Sequence, residues 1–263
     1  MRNTSTKLNK ILDDKIHGSS ELAAKLNEYL FSIRNNPNQI KESIRQAQKK
    51  LGHFEIINSY INELGKIISK KDETDIINFL TNYSGKEEKK VEVVFRKIYP
   101  VLKNINRVIT LSKSKTVIDV LKLWYKKNKK IKVIVCESRP KYEGRLTALD
   151  LVNAGIRVEL ITDTMMGIYI SKVDAAIIGA DSVLKNGKVV NKVGSKALAL
   201  FCKEYKKPFY VVTTRSKFSK RKSFKAKNEN SKEIWNKSVN NLKVNNVYFE
   251  EVEKKFITKI FTD

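Results

Sequence analysis

Two textures of hydrophobic and polar positions divide the chain. Up to Asn104, apolar residues recur three and four apart, in Leu22, Leu26, Tyr29 and Leu30 and again in Ile56, Ile57, Tyr60, Ile61 and Leu64. That period lays an apolar stripe along one face of a helix, and no strand pattern interrupts it, so residues 1–104 predict a helical N-terminal domain. Breaks are expected at His17-Gly18-Ser19-Ser20, Asn35-Asn36-Pro37 and Ser84-Gly85-Lys86, where turn and cap residues gather. Ser19 or Ser20 is expected to cap the helix that follows, with Glu21 near the positive end of its dipole.

From residue 105 to 263 the pattern changes to short apolar runs alternating with helical stretches, which predicts a parallel sheet flanked by helices. The runs are Arg107 to Thr110, Lys132 to Glu137, Arg157 to Thr162, Ala175 to Ala180 and Phe209 to Thr213. Helices are predicted over Thr116 to Lys127, Tyr142 to Asn153, Met165 to Lys172 and Lys196 to Tyr205, with Gly155 at a C-cap. Ser216 to Asn246 is rich in Lys, Ser and Asn and reads as a long basic loop, with a short helix around Trp235. Two closing strands, Asn246 to Val252 and Phe256 to Phe261, are expected to extend the sheet. The fold class expected is α/β, a helical N-terminal domain followed by a Rossmann-like parallel-sheet C-terminal domain.

Composition narrows the function classes. The chain contains 53 basic residues and has a formal net charge of +25, but only ten of the basic residues are Arg. Scattered lysines solvate surfaces, whereas bidentate recognition of bases or phosphates favours Arg, so charge alone is weak support for nucleic-acid binding. No apolar run reaches the roughly 18 residues of a membrane span, and Met1 to Ser5 lack the apolar stretch of a signal peptide, so a cytoplasmic protein with no membrane partner is expected. Cys136 and Cys202 each lie inside an apolar run and have no zinc spacing; both read as reduced core residues, and neither a metal nor a cofactor is expected.

Ligands of open parallel sheets bind beyond the carboxyl ends of the strands. The polar residues there are Ser112 to Thr116, Glu137 to Pro140, Asp163, Gly179 to Asp181, and Thr213, Thr214 and Lys217. Ser112, Ser114 and Thr116 precede a helix whose first amides attract anions, beside Lys113 and Lys115. The segment reads either as a phosphate cradle or as an ordinary hydroxyl cap. Asp181 ends an apolar strand and reads either as a proton-transfer group or as a structural aspartate. Asn191 and Lys192, past the Asn186-Gly187 turn, read as surface residues unless they serve the same site.

Glu137-Ser138-Arg139-Pro140 followed by Glu143-Gly144-Arg145, then Gly179-Ala180-Asp181, Asn186-Gly187, Asn191-Lys192-Val193-Gly194-Ser195 and Pro208-Phe209-Tyr210-Val211, occur in the order of motifs in one family. With Ile16-His17-Gly18-Ser19-Ser20 near the start, the chain resembles the alpha, beta and delta subunits of translation initiation factor 2B and their relatives methylthioribose-1-phosphate isomerase and ribose-1,5-bisphosphate isomerase. The resemblance implies a homodimer formed through the C-terminal domain and a phosphorylated sugar or nucleotide-like ligand. It places the family's catalytic aspartate at Asp181, its substrate-holding pair at Asn191 and Lys192, its phosphate loop at Ser114, Lys115 and Thr116, and a further ligand lysine at Lys217. The catalytic cysteine falls at Ser112 and the N-terminal phosphate-binding arginine at His17, next to Gly18. A serine hydroxyl has no accessible anion comparable with a thiolate.

The expectation is therefore a sugar-phosphate-binding, noncatalytic homologue of the factor 2B alpha subunit. The alternatives are an aldose-ketose isomerase acting on a C1-phosphorylated sugar and a basic module binding initiation factor 2 or RNA.

Overall fold

The computed structural model describes residues 2–70 and 72–263. Five helices come first: α1 (Arg2–Leu12), α2 (Ser19–Ser32), α3 (Pro37–Leu51), α4 (Glu55–Ser69) and α5 (Glu73–Leu102). Pro37 occupies the first turn of α3 and the Asn36 side chain accepts from the Gln39 amide at 3.0 Å. Such a start satisfies one of the otherwise orphaned N–H groups. The N-cap of α2 is Gly18, not Ser19 or Ser20, and no side chain caps it.

The break expected at Ser84-Gly85-Lys86 is absent, for α5 runs unbroken through it for 30 residues. Gly85 is on the exposed face, where glycine costs only about 1 kcal/mol relative to alanine. Ile76, Phe79, Leu80 and Tyr83 on one side of it, and Val91, Val94, Phe95 and Ile98 on the other, are buried. Burial of each such side chain is worth roughly 1.5–3 kcal/mol, so packing outweighs propensity. The two groups enter different cores: the first half of α5 packs with α1–α4, and the second packs against the sheet.

The sheet strands are β1 (Arg107–Leu111), β2 (Lys132–Cys136), β3 (Arg157–Ile161), β4 (Ala175–Ile178), β7 (Phe209–Val212) and β9 (Lys259–Phe261); the intervening β5 (Ser182–Val183) and β6 (Val189–Lys192), together with β8 (Phe249–Val252), lie elsewhere. The order is β3-β2-β1-β4-β7-β9 and every neighbouring pair is parallel. Helices α6 (Lys115–Lys127), α7 (Glu143–Val152), α8 (Met166–Tyr169) and α9 (Ser195–Glu204) make the crossovers, and buried apolar residues cover both faces. The central strands β1, β2, β4 and β7, buried on both faces, read as near-continuous apolar runs, which is why the sequence marked them. The chain thus has a helical N-terminal region and a C-terminal α/β region built on a six-stranded parallel sheet.

One closing strand departs from expectation. β9 joins the parallel sheet beside β7, but β8 pairs antiparallel with β6 in a second sheet ordered β5-β6-β8. A hairpin around Asn186-Gly187, with Gly187 at φ 80°, presents the free edge of β6 to β8. Its strands, of two and four residues, are too short to leave a periodic signal.

Candidate functional site

The strand order reverses between β1 and β4, and the crevice at their carboxyl ends is where parallel sheets receive ligands. There the helical region closes over the sheet to leave a cavity of ≈ 200 Å³. Its walls are the Leu12–Ser20 segment, the α3–α4 connection at Lys50–Phe54, the loop after β1, the end of β4, and Tyr248 and Phe249 entering β8.

Its floor is set by close packing across the switch point. A Cβ at Gly179 would lie 2.4 Å from the Ser114 hydroxyl, so only glycine lets the end of β4 meet the β1 loop. Ser114 caps α6, accepting from the Val117 amide at 3.4 Å. Ser112 takes a left-handed φ of 65°. It is held there by its own amide donating to Ser138 Oγ at 2.6 Å and by its carbonyl accepting from Thr147 Oγ1 at 2.8 Å. Asp163 in turn accepts from the amides of Ser138 at 2.8 Å and Arg139 at 2.7 Å. The Glu137–Pro140 motif and Asp163 thus position the β1 loop.

Of the residues singled out in the sequence, His17, Gly18, Ser112, Ser114, Lys115, Asp181, Asn191 and Lys217 line the cavity. Thr116 and Lys192 do not. Thr116 is 3% exposed, packed inside α6. Lys192 is 1% exposed and its Nζ donates to Glu143 Oε1 at 2.6 Å, with the Tyr248 ring 5.0 Å away. Glu143, at the start of α7, is the residue of that pair on the cavity wall. Burial raises its carboxyl pKa despite the opposing effect of Lys192, and its Oε2 is buried without a hydrogen-bond partner among the described residues. A buried acceptor left open beside a cavity suits a ligand hydroxyl. The Lys115 ammonium is turned along its helix to Asp119, at 2.6 Å.

The helical region contributes directly. Ser19 Oγ, freed from capping, donates to Asp181 Oδ1 at 2.9 Å. His17 lies between carboxylates, with Nδ1 2.6 Å from Asp14 and Nε2 3.2 Å from Glu21. Burial works to raise the Asp14 carboxyl pKa, but the Ile16 and His17 amides, with Lys25, overcome it and hold it at about 2. Lys25 and Lys113 pair with those carboxylates at 3.1 Å each, so the histidine sits in a network of paired charges where an arginine would present a bidentate cation. His53, not assigned to the site from the sequence, lines the same cavity. Desolvation and then Lys227 push its pKa below the usual histidine value, with Asp181 opposing, so the imidazole is neutral at neutral pH. Its signal was the Gly52-His53-Phe54 interruption of the helical period.

The basic loop reaches the site too, through Lys227 and Glu229. It is tied down at Glu233, which pairs with Lys141 at 2.7 Å, accepts from Asn246 at 3.0 Å and is hydrogen-bonded by Tyr248. In place of the short helix expected around Trp235 there is a single turn just before it, over Ser231–Glu233. Cys136 and Cys202 are buried; desolvation raises both thiols, Cys202 to about 12, so neither supplies a thiolate near neutral pH. Among the described residues no cluster of His, Cys, Asp or Glu is suited to hold a metal ion. No described helix is long and apolar enough to cross a membrane.

Comparison with known proteins agrees with this architecture. The chain is 31% identical over 218 residues to an eIF-2B subunit 2-like protein of Pyrococcus furiosus, covering 81% of this chain and 79% of that protein. It is 35% identical over 167 residues to the ribose 1,5-bisphosphate isomerase of Archaeoglobus fulgidus, covering 56% of this chain and 53% of that enzyme, so the match spans about half of that relative's length. The crystal structure of the Pyrococcus horikoshii translation initiation factor eIF-2B superposes with a TM-score of 0.81 at 26% identity, covering 100% of this chain and 95% of the other. The profile of the initiation factor 2 subunit family matches residues 4–263, and the chain belongs to that family.

Proposed function

We propose that this protein binds a phosphorylated sugar, or a nucleotide-like ligand carrying the same phosphate, and does not turn it over by the cysteine chemistry of the related isomerases. The observation that carries the reading is the cavity itself: an α6 N-terminus, Asp181, Asn191, Lys217 and the open Glu143 oxygen share it, while Ser112 stands at the place the resemblance assigns to a cysteine. Backbone amides at a helix start hold the phosphate, and Asp181 and Glu143 accept from sugar hydroxyls.

One observation favours turnover as a second reading. Neutral His53 shares the cavity with Asp181, two side chains able to carry a proton between adjacent carbons. Thermal unfolding against ribose 1,5-bisphosphate, methylthioribose 1-phosphate, nucleoside monophosphates and phosphate alone tests the binding. Ligand at about a hundred times its Kd stabilises by about 2.7 kcal/mol. A selective rise in Tm supports a ligand site, and no rise beyond that given by phosphate refutes it. Ketose formation that disappears in both His53→Ala and Asp181→Asn establishes the second reading.

Self-association accompanies this function. Exposed Leu149, Val152, Leu160, Ile168 and Phe201 belong to α7, to β3 at the sheet edge, and to α8 and α9. A second copy covering this apolar surface makes a homodimer. Light scattering of the wild type and of Leu160→Glu tests this, a monomeric wild type being the refuting result.

A further inference from the structure

We propose that Lys217 is a carbonyl-reactive amine that condenses with the open-chain aldehyde or ketone of a phosphorylated sugar held in the cavity. The proposal rests on the ligand reading above and adds a covalent step to it.

Six lysines line the cavity and five are accounted for. Lys50, Lys113 and Lys115 are ion-paired, to Asp13 at 2.5 Å, Glu21 at 3.1 Å and Asp119 at 2.6 Å. Lys15 and Lys227 are exposed to solvent. Lys217 is only 4% exposed, and no hydrogen-bond or ion-pair partner among the described residues engages its Nζ. The turn Arg215–Lys217 that ends the β7 connection fixes its backbone, the Lys217 amide donating to the Thr214 carbonyl at 3.0 Å.

A lysine buried without a partner is either an expensive structural cation or a group whose neutral form is used. Burial lowers the ammonium's pKa, the carboxylates of Asp181 and Glu87 opposing it from β4's end and from α5. The neutral amine has the lone pair that a solvated lysine lacks near neutral pH. The same cavity supplies what a carbonyl condensation needs. The α6 N-terminus takes the phosphate, and no described residue hydrogen-bonds to Asp181 Oδ2, Oδ1 already accepting from Ser19.

The step is an addition followed by loss of water. The nitrogen lone pair attacks the carbonyl carbon, and the C=O π pair moves to oxygen. The proton leaving nitrogen passes to that oxygen, with Asp181 in reach of the cavity to relay it. Loss of water from the carbinolamine then forms C=N. One N–C connection is made, one water leaves, and nothing is oxidised or reduced. A lysine serving only as a phosphate cation needs none of this, and an arginine would serve that role as well.

The test uses the full chain near neutral pH with D-ribose 5-phosphate as carbonyl probe and sodium borohydride as trapping reductant, read by intact mass and peptide mapping. Ribitol 5-phosphate, which keeps the phosphate and lacks the carbonyl, is the competitor. The expected result is a single reduced adduct on the Lys217 peptide ahead of every other lysine, suppressed by ribitol 5-phosphate. That adduct is lost in both Lys217→Arg and Lys217→Met, each of which still unfolds cooperatively. Adducts spread over exposed lysines with no preference for Lys217, or a fast adduct surviving in Lys217→Arg, overturn the proposal. Stabilisation by both sugar phosphates without an adduct at Lys217 overturns the covalent step alone and leaves the ligand reading standing. Absence of both stabilisation and adduct overturns the two together.

Discussion

Replacing Lys192 by methionine removes the ammonium paired with a buried carboxylate while keeping the length of the side chain. Lys192 is 1% exposed and Glu143 9% exposed, and their contact is 2.6 Å. Among the described residues Glu143 Oε2 already lacks a partner, so the variant leaves the carboxyl held only by its own backbone amide. Removing one member of a buried pair costs about 3–5 kcal/mol, because a charge remains without compensation. The cost depends on pH in a definite direction. Burial already raises the Glu143 pKa in the folded protein, and deleting the ammonium that opposes this raises it further. A carboxyl whose folded pKa lies above its unfolded one stabilises fully below the unfolded value and loses that contribution as pH rises through the folded value. The penalty of Lys192→Met is therefore larger at neutral pH than in mildly acidic solution, acidification being the direction in which the carboxyl takes up a proton. Urea unfolding at the two pH values measures it. Lys192→Met/Glu143→Leu should recover most of the loss, since an apolar pair of similar volume replaces a buried ion pair at little or no cost. A penalty under about 1 kcal/mol, or one independent of pH, would refute a buried and coupled pair.

Gly179→Ala brings a methyl to 2.4 Å from Ser114 Oγ; a loss of about 1–3 kcal/mol and weaker sugar-phosphate binding are expected, by urea unfolding and thermal shift. Gly85→Ala, on the open face of α5, should stabilise by roughly 0.5–1 kcal/mol with binding unchanged; destabilisation would mean that α5 is not continuous there. Ser138→Ala removes the acceptor of the Ser112 amide and should cost about 1–3 kcal/mol, with a matching fall in ligand affinity by calorimetry.

Strands β1, β2, β4 and β7 were legible because each is a near-continuous apolar run bounded by turn residues, and the residues at their carboxyl ends follow from the topology of such sheets. Ser112, Ser114, Asp181 and Lys217 could be placed near one another on that ground alone. The rest of the site depends on contacts that no local pattern encodes. Ser19 meets Asp181 across 162 positions, and Glu143 meets Lys192 across 49. Asn191 and Lys192 are adjacent in sequence, but alternation along β6 sends one side chain to the cavity and the other beneath it. The continuity of α5 was hidden because Ser84, Gly85 and Lys86 resemble a turn locally, and the packing that overrides them lies in two separate cores.

That long helix has a mechanical consequence. Because α5 is rooted at one end among α1–α4 and at the other against the sheet, it acts as a strut clamped at both ends. Opening the cavity by swinging the helical region away as a rigid body would have to bend the strut or tear one end from its core. The connections that roof the cavity carry no such load. Access that spares the strut would have to displace parts of the cavity wall, such as the Lys227–Glu229 stretch and the Leu12–Ser20 segment, a door in the wall instead of a hinge in the frame.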